Sequence, residues 1–168
     1  ISLGLVGSEM CIRDSMERDH ISFAVNLLVG GQIQGEEPQL YMIYAQGNPL
    51  RCTRSSPFLQ IGEAKYGRPI LDRGIRFGET TLEQAVKYEI ISLDSTMRSN
   101  VAVGPPIDLL VYANDDLAVR RYRRLSTSDP DLMEIRSNWE RELRRAVGML
   151  PQIDFGPPPS GTDLGPTT

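Results

Sequence analysis

Peptide or ester hydrolysis needs a nucleophile with a base beside it, and metal chemistry needs a cluster of ligands. The sequence offers few of either. His20 is its only histidine, so a Ser-His-Asp or Cys-His arrangement would have to use it. It stands beside Glu17, Arg18 and Asp19, which reads as a solvated surface histidine. One histidine with two scattered cysteines, Cys11 and Cys52, is a poor ligand set for zinc. No metal or other cofactor is expected. Gly62-Glu63-Ala64-Lys65-Tyr66-Gly67 is glycine-bounded like a phosphate loop. It lacks the Gly-Lys-Ser/Thr ending that cradles and neutralises phosphate, so that reading is rejected. Arg120-Arg121-Tyr122-Arg123-Arg124 could touch phosphate or a partner. The run reads better as a solvated edge strand whose charges discourage edge pairing, since no second basic patch accompanies it. Glu36-Glu37 and Asp115-Asp116 fall in expected turns, where solvation accounts for them. Trp139 reads as core or subunit interface.

The elements that would position such groups fit in one domain, since the chain has 168 residues, 40% of them apolar. Its net charge is -4, which gives no general pull toward nucleic acid or an anionic membrane. No apolar run is long enough to span a bilayer. The cysteines have neither disulfide-framework density nor metal spacing, so a reducing, cytoplasmic setting is expected. The start lacks the basic residues of a secretory signal, and Ser8 and Glu9 break its apolar run. Ile1 to Ser15, ISLGLVGSEMCIRDS, resembles the translation of residual sequencing-adapter DNA. It is read as a scar outside the fold, with the genuine sequence beginning near Met16 or Glu17 and the natural start missing. The expected organisation is a scar at 1–15, a partial domain at 16–150 and a disordered, proline-rich tail at 151–168.

Apolar and β-branched residues predict a mostly buried strand over Ile21–Val29, with Gly30-Gly31 allowing a bulge at its end. Turn signals at 35–38 and 46–49 separate it from strands at Leu40–Ala45 and Leu50–Arg54, an antiparallel meander. Lys65–Arg76 reads as a helix disturbed by Pro69. Thr80-Thr81-Leu82-Glu83 has the form of a capping box, with a hydroxyl at the N-cap and Glu83 three residues on. Leu82, Val86, Ile90, Leu93 and Met97 follow at helical spacing to an end near Ser99-Asn100. Ile107–Tyr112 and Leu117–Leu125 read as strands. Asp129-Pro130 supplies an N-cap and a proline at the first helical position. Ile135, Trp139, Leu143 and Val147 mark one face of a helix to about Leu150. Runs of strands and then helices imply layered α+β packing. These residues alone give an α+β domain with no self-evident catalytic set.

Two segments carry more. Ser56–Gly74 reads SPFLQIGEAKYGRPILDRG, and Ser92–Tyr112 reads SLDSTMRSNVAVGPPIDLLVY. Both resemble the bacterial proteasome-related peptidases called Anbu, for ancestral beta subunit, and Val29–Asn48 agrees. The resemblance is colinear over roughly Ser22–Phe155 and corresponds to the later two-thirds of a family member. It implies a four-layer αββα sandwich of the N-terminal-nucleophile hydrolase type, incomplete at its N-terminus. It also implies a homo-oligomer acting on peptides. In that chemistry an N-terminal threonine attacks the peptide carbonyl while its own free amine, with a pKa of about 8, takes the proton. A lysine and an aspartate from the first third of the family's sequence tune and orient that pair.

None of those three positions is found here. Residue 1 is Ile1, and an internal threonine has an amide nitrogen with no basicity. No catalytic residue is therefore expected in these 168 residues. Two supporting regions remain. Where such subunits carry a Gly-Ser-Gly turn near the nucleophile, this chain has Gly62-Glu63-Ala64. Where they carry Arg-Asp-x-x-Ser after a central helix, it has Arg98-Ser99-Asn100-Val101-Ala102. Gly62, Glu63, Ser99 and Asn100 are the site-lining candidates the resemblance supplies. Helix capping explains Ser99 and Asn100 equally well. A binding or structural protein of the same fold is the alternative. The missing first strands would uncover apolar faces at Ile21–Val29 and Ile107–Tyr112, which favours aggregation.

Overall fold

A computed structural model describes residues 24–156. The segment read as a scar, His20, Cys11 and the start of the first expected strand lie outside them. Three strands form an antiparallel meander: β1 (Leu27–Gly31), β2 (Gln39–Ile43) and β3 (Pro49–Arg51). Val29 faces Tyr41, and Tyr41 faces Arg51. The turns need positive φ, and glycine supplies it at Gly35 (84°) and Gly47 (88°). The first strand differs from expectation in two ways. Gly30 and Gly31 continue the ladder against Leu40 and Gln39 and form no bulge. Leu27, Leu28 and Val29 are exposed, because β1 is an edge strand with both faces open.

The helix expected at Lys65–Arg76 is shorter, α1 (Arg68–Gly74). Pro69 opens it and does not disturb it: in the first turn its missing N–H has no helical partner to lose. The next helix, α2 (Leu82–Ser99), is capped one residue later than the sequence suggested. Thr81 Oγ1 accepts from Gln84 N–H at 3.2 Å while Gln84 Oε1 accepts from Thr81 N–H at 2.9 Å. Thr80 is held elsewhere, accepting from Arg76 N–H at 2.8 Å. Glu83 pairs instead with Lys87, 2.8 Å away and one turn on.

Strands β4 (Ile107–Val111) and β5 (Arg121–Leu125) pair antiparallel, Ile107 facing Leu125. The final helix is α3 (Pro130–Gly148), with Asp129 accepting from the N–H groups of Asp131 (3.1 Å) and Leu132 (3.3 Å). The α+β reading, the meander and the helical segments therefore stand. The core is where α2, β5 and α3 meet: Ile90, Leu125 and Leu132, flanked by Val86, Ile107 and Ile135. Residues 151–156 have no regular structure.

Gln32 ties the meander to the far end of β4. Its Oε1 accepts from Tyr112 Oη and from Asp115 N–H, both at 2.8 Å. Its Nε2 donates to Glu36 O at 2.8 Å and to Asp115 Oδ1 at 2.9 Å. The loop it holds carries two non-glycine residues at positive φ, Asp115 (64°) and Leu117 (44°).

Glycines set the approach of α1 to α2. A Cβ on Gly67 would lie 2.3 Å from Ser92 Oγ, 2.8 Å from Ser92 O and 2.9 Å from Thr96 Oγ1. One on Gly74 would lie 2.1 Å from the Tyr88 ring. The two helices thus run oppositely in close contact, and Ser92 and Thr96 are buried because small residues are what fit there. On another face of α2, buried Asp94 reaches α3. Arg98 Nε donates to its Oδ2 at 3.0 Å. Arg136 Nε lies 2.5 Å from its Oδ1, a charge contact without hydrogen-bond alignment. Arg98 also meets Glu140.

This packing sets the expected effect of four substitutions. Gly67 has a φ of -89° that alanine also adopts, so Gly67→Ala acts through overpacking and should cost about 2 kcal/mol in urea unfolding. Gly74→Ala should cost less, since a ring can yield and a backbone carbonyl cannot; the reverse order would reject this account. Asp94→Ala strands the largely buried Arg136 and should cost about 3 kcal/mol. Glu89, half-buried on α2, has its carboxyl pushed above the ordinary value by burial. Its folded pKa exceeds its unfolded one, so the folded state holds the proton harder and loses stability as pH rises through that interval. Glu89→Gln should therefore raise Tm at neutral pH and leave it unchanged well below the ordinary carboxylate range.

Candidate functional site

One candidate region leads into the glycine packed on α2, and the other is the C-terminal end of α2 itself. Gly62 stands at a φ of 81°, which glycine adopts without strain. The following Glu63 turns its carboxylate back, accepting from Lys65 N–H at 2.9 Å. Gln60 Nε2 donates to Glu63 O at 3.4 Å, and Gln60 Oε1 is buried without a partner among the described residues. Five residues after Gly62, Gly67 lies flush on Ser92 and Thr96. The turn is thereby anchored to the C-terminal half of α2, the helix that ends at Ser99.

Ser99 is exposed in the last turn of α2, and Asn100 is the residue that closes it. Asn100 N–H donates to Thr96 O at 2.8 Å, its Oδ1 accepts from Ala102 N–H at 2.9 Å, and its carbonyl accepts from Val103 N–H at 3.1 Å. The capping role is thus real, and the side-chain oxygen is spent on the loop itself. Of the four candidates, none hydrogen-bonds another. What unites them is α2, which carries one pair at its end and packs against the glycine that follows the other.

Sequence reasoning missed the groups that steady this end of α2. Arg98 is fixed by Asp94 and Glu140, and its guanidinium is held more firmly charged by those two carboxylates. The signal was present as two one-turn spacings, Asp94 to Arg98 and Arg136 to Glu140, which only the fold brings together.

The remaining chemistry-bearing residues resolve simply. Arg123 bridges Asp129 and Asp131, Arg124 pairs with Asp108 and Arg120 lies 3.8 Å from Asp116. The basic run is a charged edge strand, as expected. Cys52 Sγ donates to Ser56 O at 3.1 Å, and burial pushes its thiol pKa up, which disfavours the nucleophilic thiolate. Trp139 lines an open groove of about 590 Å³ between α2 and α3, with Lys87, Ile91, Glu134 and Ile135. None of the four candidate residues lines it. Among the described residues, no helix is long and apolar enough to cross a membrane.

No protein-family model and no curated protein matches the chain. Solved structures do. The chain is similar to Anbu (ancestral beta-subunit) from Yersinia bercovieri, at 41% identity and a TM-score of 0.78, over 88% of this chain and 62% of that one. It is similar to Anbu from Hyphomicrobium sp. strain MC1, at 43% identity and a TM-score of 0.75, over 82% of this chain and 59% of that one. The helical assembly of the Anbu complex from Pseudomonas aeruginosa matches at 43% identity and a TM-score of 0.77, over 85% of this chain and 61% of that one. The chain therefore spans about three fifths of the length of these relatives. Identity at this level over most of the chain, on the same α+β fold, places it in the Anbu family of proteasome-related proteins.

Proposed function

We propose that these residues are the supporting part of a proteasome-type threonine peptidase subunit, whose complete form hydrolyses peptides with an N-terminal nucleophile. The observation that carries this reading is 43% identity over 85% of the chain to an Anbu protein that assembles helically. On this reading the meander and the β4–β5 pair belong to the two sheets of an αββα sandwich, with α1–α3 in the outer layers. The exposed apolar residues of β1 are those a neighbouring strand would cover. The Gly62-Glu63 turn and the Ser99-Asn100 end of α2 line the site from one side. The subunit acts as a homo-oligomer in the cytoplasm.

The nucleophile is supplied by residues outside these 168. A threonine inside a chain cannot replace it, because its nitrogen is an amide and no base remains to take the hydroxyl proton. One observation favours a second, non-catalytic reading. Where proteasome-type subunits carry aspartate and serine, this chain has Ser99 and Ala102, and Asn100 Oδ1 is already engaged by Ala102 N–H.

Fluorogenic peptides separate these readings. The 168-residue chain should show no turnover, and the protein read from the upstream reading frame should show turnover that a Thr→Ala change at its mature N-terminus abolishes. Turnover by the 168-residue chain, with contaminants excluded, would reject the missing-nucleophile account. Inactivity of the full protein on a broad peptide panel would favour the structural reading.

A further inference from the structure

The partner surface can be located from α3. Helices α2 and α3 run side by side in the same direction: Asp94 meets Arg136, and Arg98 one turn later meets Glu140. Helix α2 stops at Ser99, so α3 overhangs it from Arg141 onward, and residues 141–150 are exposed throughout. That overhang is apolar along one edge. Leu143 (49% exposed), Val147 (59%) and Leu150 (66%) are spaced by one turn, and Met149 (70%), Ile153 (74%) and Phe155 (90%) follow. A free helix end in water gains nothing from such a ridge.

We propose that this ridge, residues 143–155, is a docking surface for the same ridge of a second copy of this chain. The inference rests on the homo-oligomer reading above and names its surface. Two arguments select a second copy. The first is area. Six side chains of about 200 Å² each, exposed by half to nine-tenths, present roughly 800 Å², what one partner buries in a standard-size interface. The second is charge. The flanking Arg144 pairs with Glu140 on the same helix, and Arg141 and Arg145 pair with Glu142. Across residues 140–155 the three arginines are matched in number by Glu140, Glu142 and Asp154, so the rim has no net charge and two identical ridges meet face to face across a twofold axis without net like-charge repulsion. A strongly acidic or basic partner would find no complementary field there.

Photocrosslinking of the full chain in dilute solution tests this. Benzoylphenylalanine introduced at Val147 should give covalent dimers on illumination, with the crosslinks mapping to residues 143–155. The same group at the exposed, polar Glu79 should give none. Leu150→Glu places a charge in the apolar seam and should cut the dimer yield by about tenfold while circular dichroism is unchanged. Equal crosslinking from both positions, crosslinks mapping elsewhere, or a yield indifferent to Leu150→Glu would each overturn the proposal. So would intrachain crosslinks alone, which would mean the chain covers its own ridge. Sedimentation velocity separates the two failures. Multimers without ridge crosslinks reject this surface only, whereas single copies at micromolar concentration reject the oligomer as well.

Discussion

Close contact between α1 and α2 governs where the rest of the chain goes. Two glycines seven residues apart, Gly67 and Gly74, put no side chain of their own between the helices, so the backbone at these points rests on Ser92, Thr96 and Tyr88 of the other helix. Dispersion falls steeply with separation, and a gap of even an ångström forfeits much of it. From this seam the order propagates both ways. Upstream, it pins the loop that carries Gly62 and Glu63. Downstream, it orients α2 so that Asp94 faces Arg136 and Ile90 faces Leu125 and Leu132. A polar row on α2 is buried as a result: Thr96 Oγ1 donates to Ser92 O at 2.9 Å, and Asp94 lies between two guanidinium groups.

Much of the secondary structure was legible because local rules dominate it. Asp129-Pro130 started α3 where its side-chain and backbone chemistry required, and glycine turns set the meander. The failures have a common cause. Pro69 was read as a disturbance because a propensity has no position until the helix has a start. The capping box slid by one residue because Thr80 and Thr81 are both competent caps, and hydrogen bonds within the α1–α2 connection, from Arg76 N–H and to Gly74 O, claimed the first. Burial was less legible still. The apolar periodicity of α2 and α3 marks a stripe but cannot say how far a neighbour extends along it. Leu82 at one end and Leu143 and Val147 at the other are exposed for that reason.

The candidate site was legible only through resemblance. Its residues are a glycine, a carboxylate engaged with its own loop, a serine and an asparagine that closes a helix. None has a chemical signature in isolation. What the fold adds is a shared support: both segments depend on α2, one through Gly67 and the other through its last turn. Arg98, tethered by Asp94 and Glu140, stiffens that turn. The family assignment and the geometry therefore point to the same helix for different reasons.

Gln32 carries a consequence of its own. Four hydrogen bonds converge on its single amide group, two accepted and two donated. Each is solvent-accessible or nearly so and weak in isolation, since water competes for it. Their correlation matters more than their sum. The bond to Glu36 O stays inside the meander, whereas the three to Tyr112 and Asp115 cross to the end of β4 and share one amide plane, so turning that plane disturbs all three at once. One planar group thus couples the orientation of one sheet to that of the other.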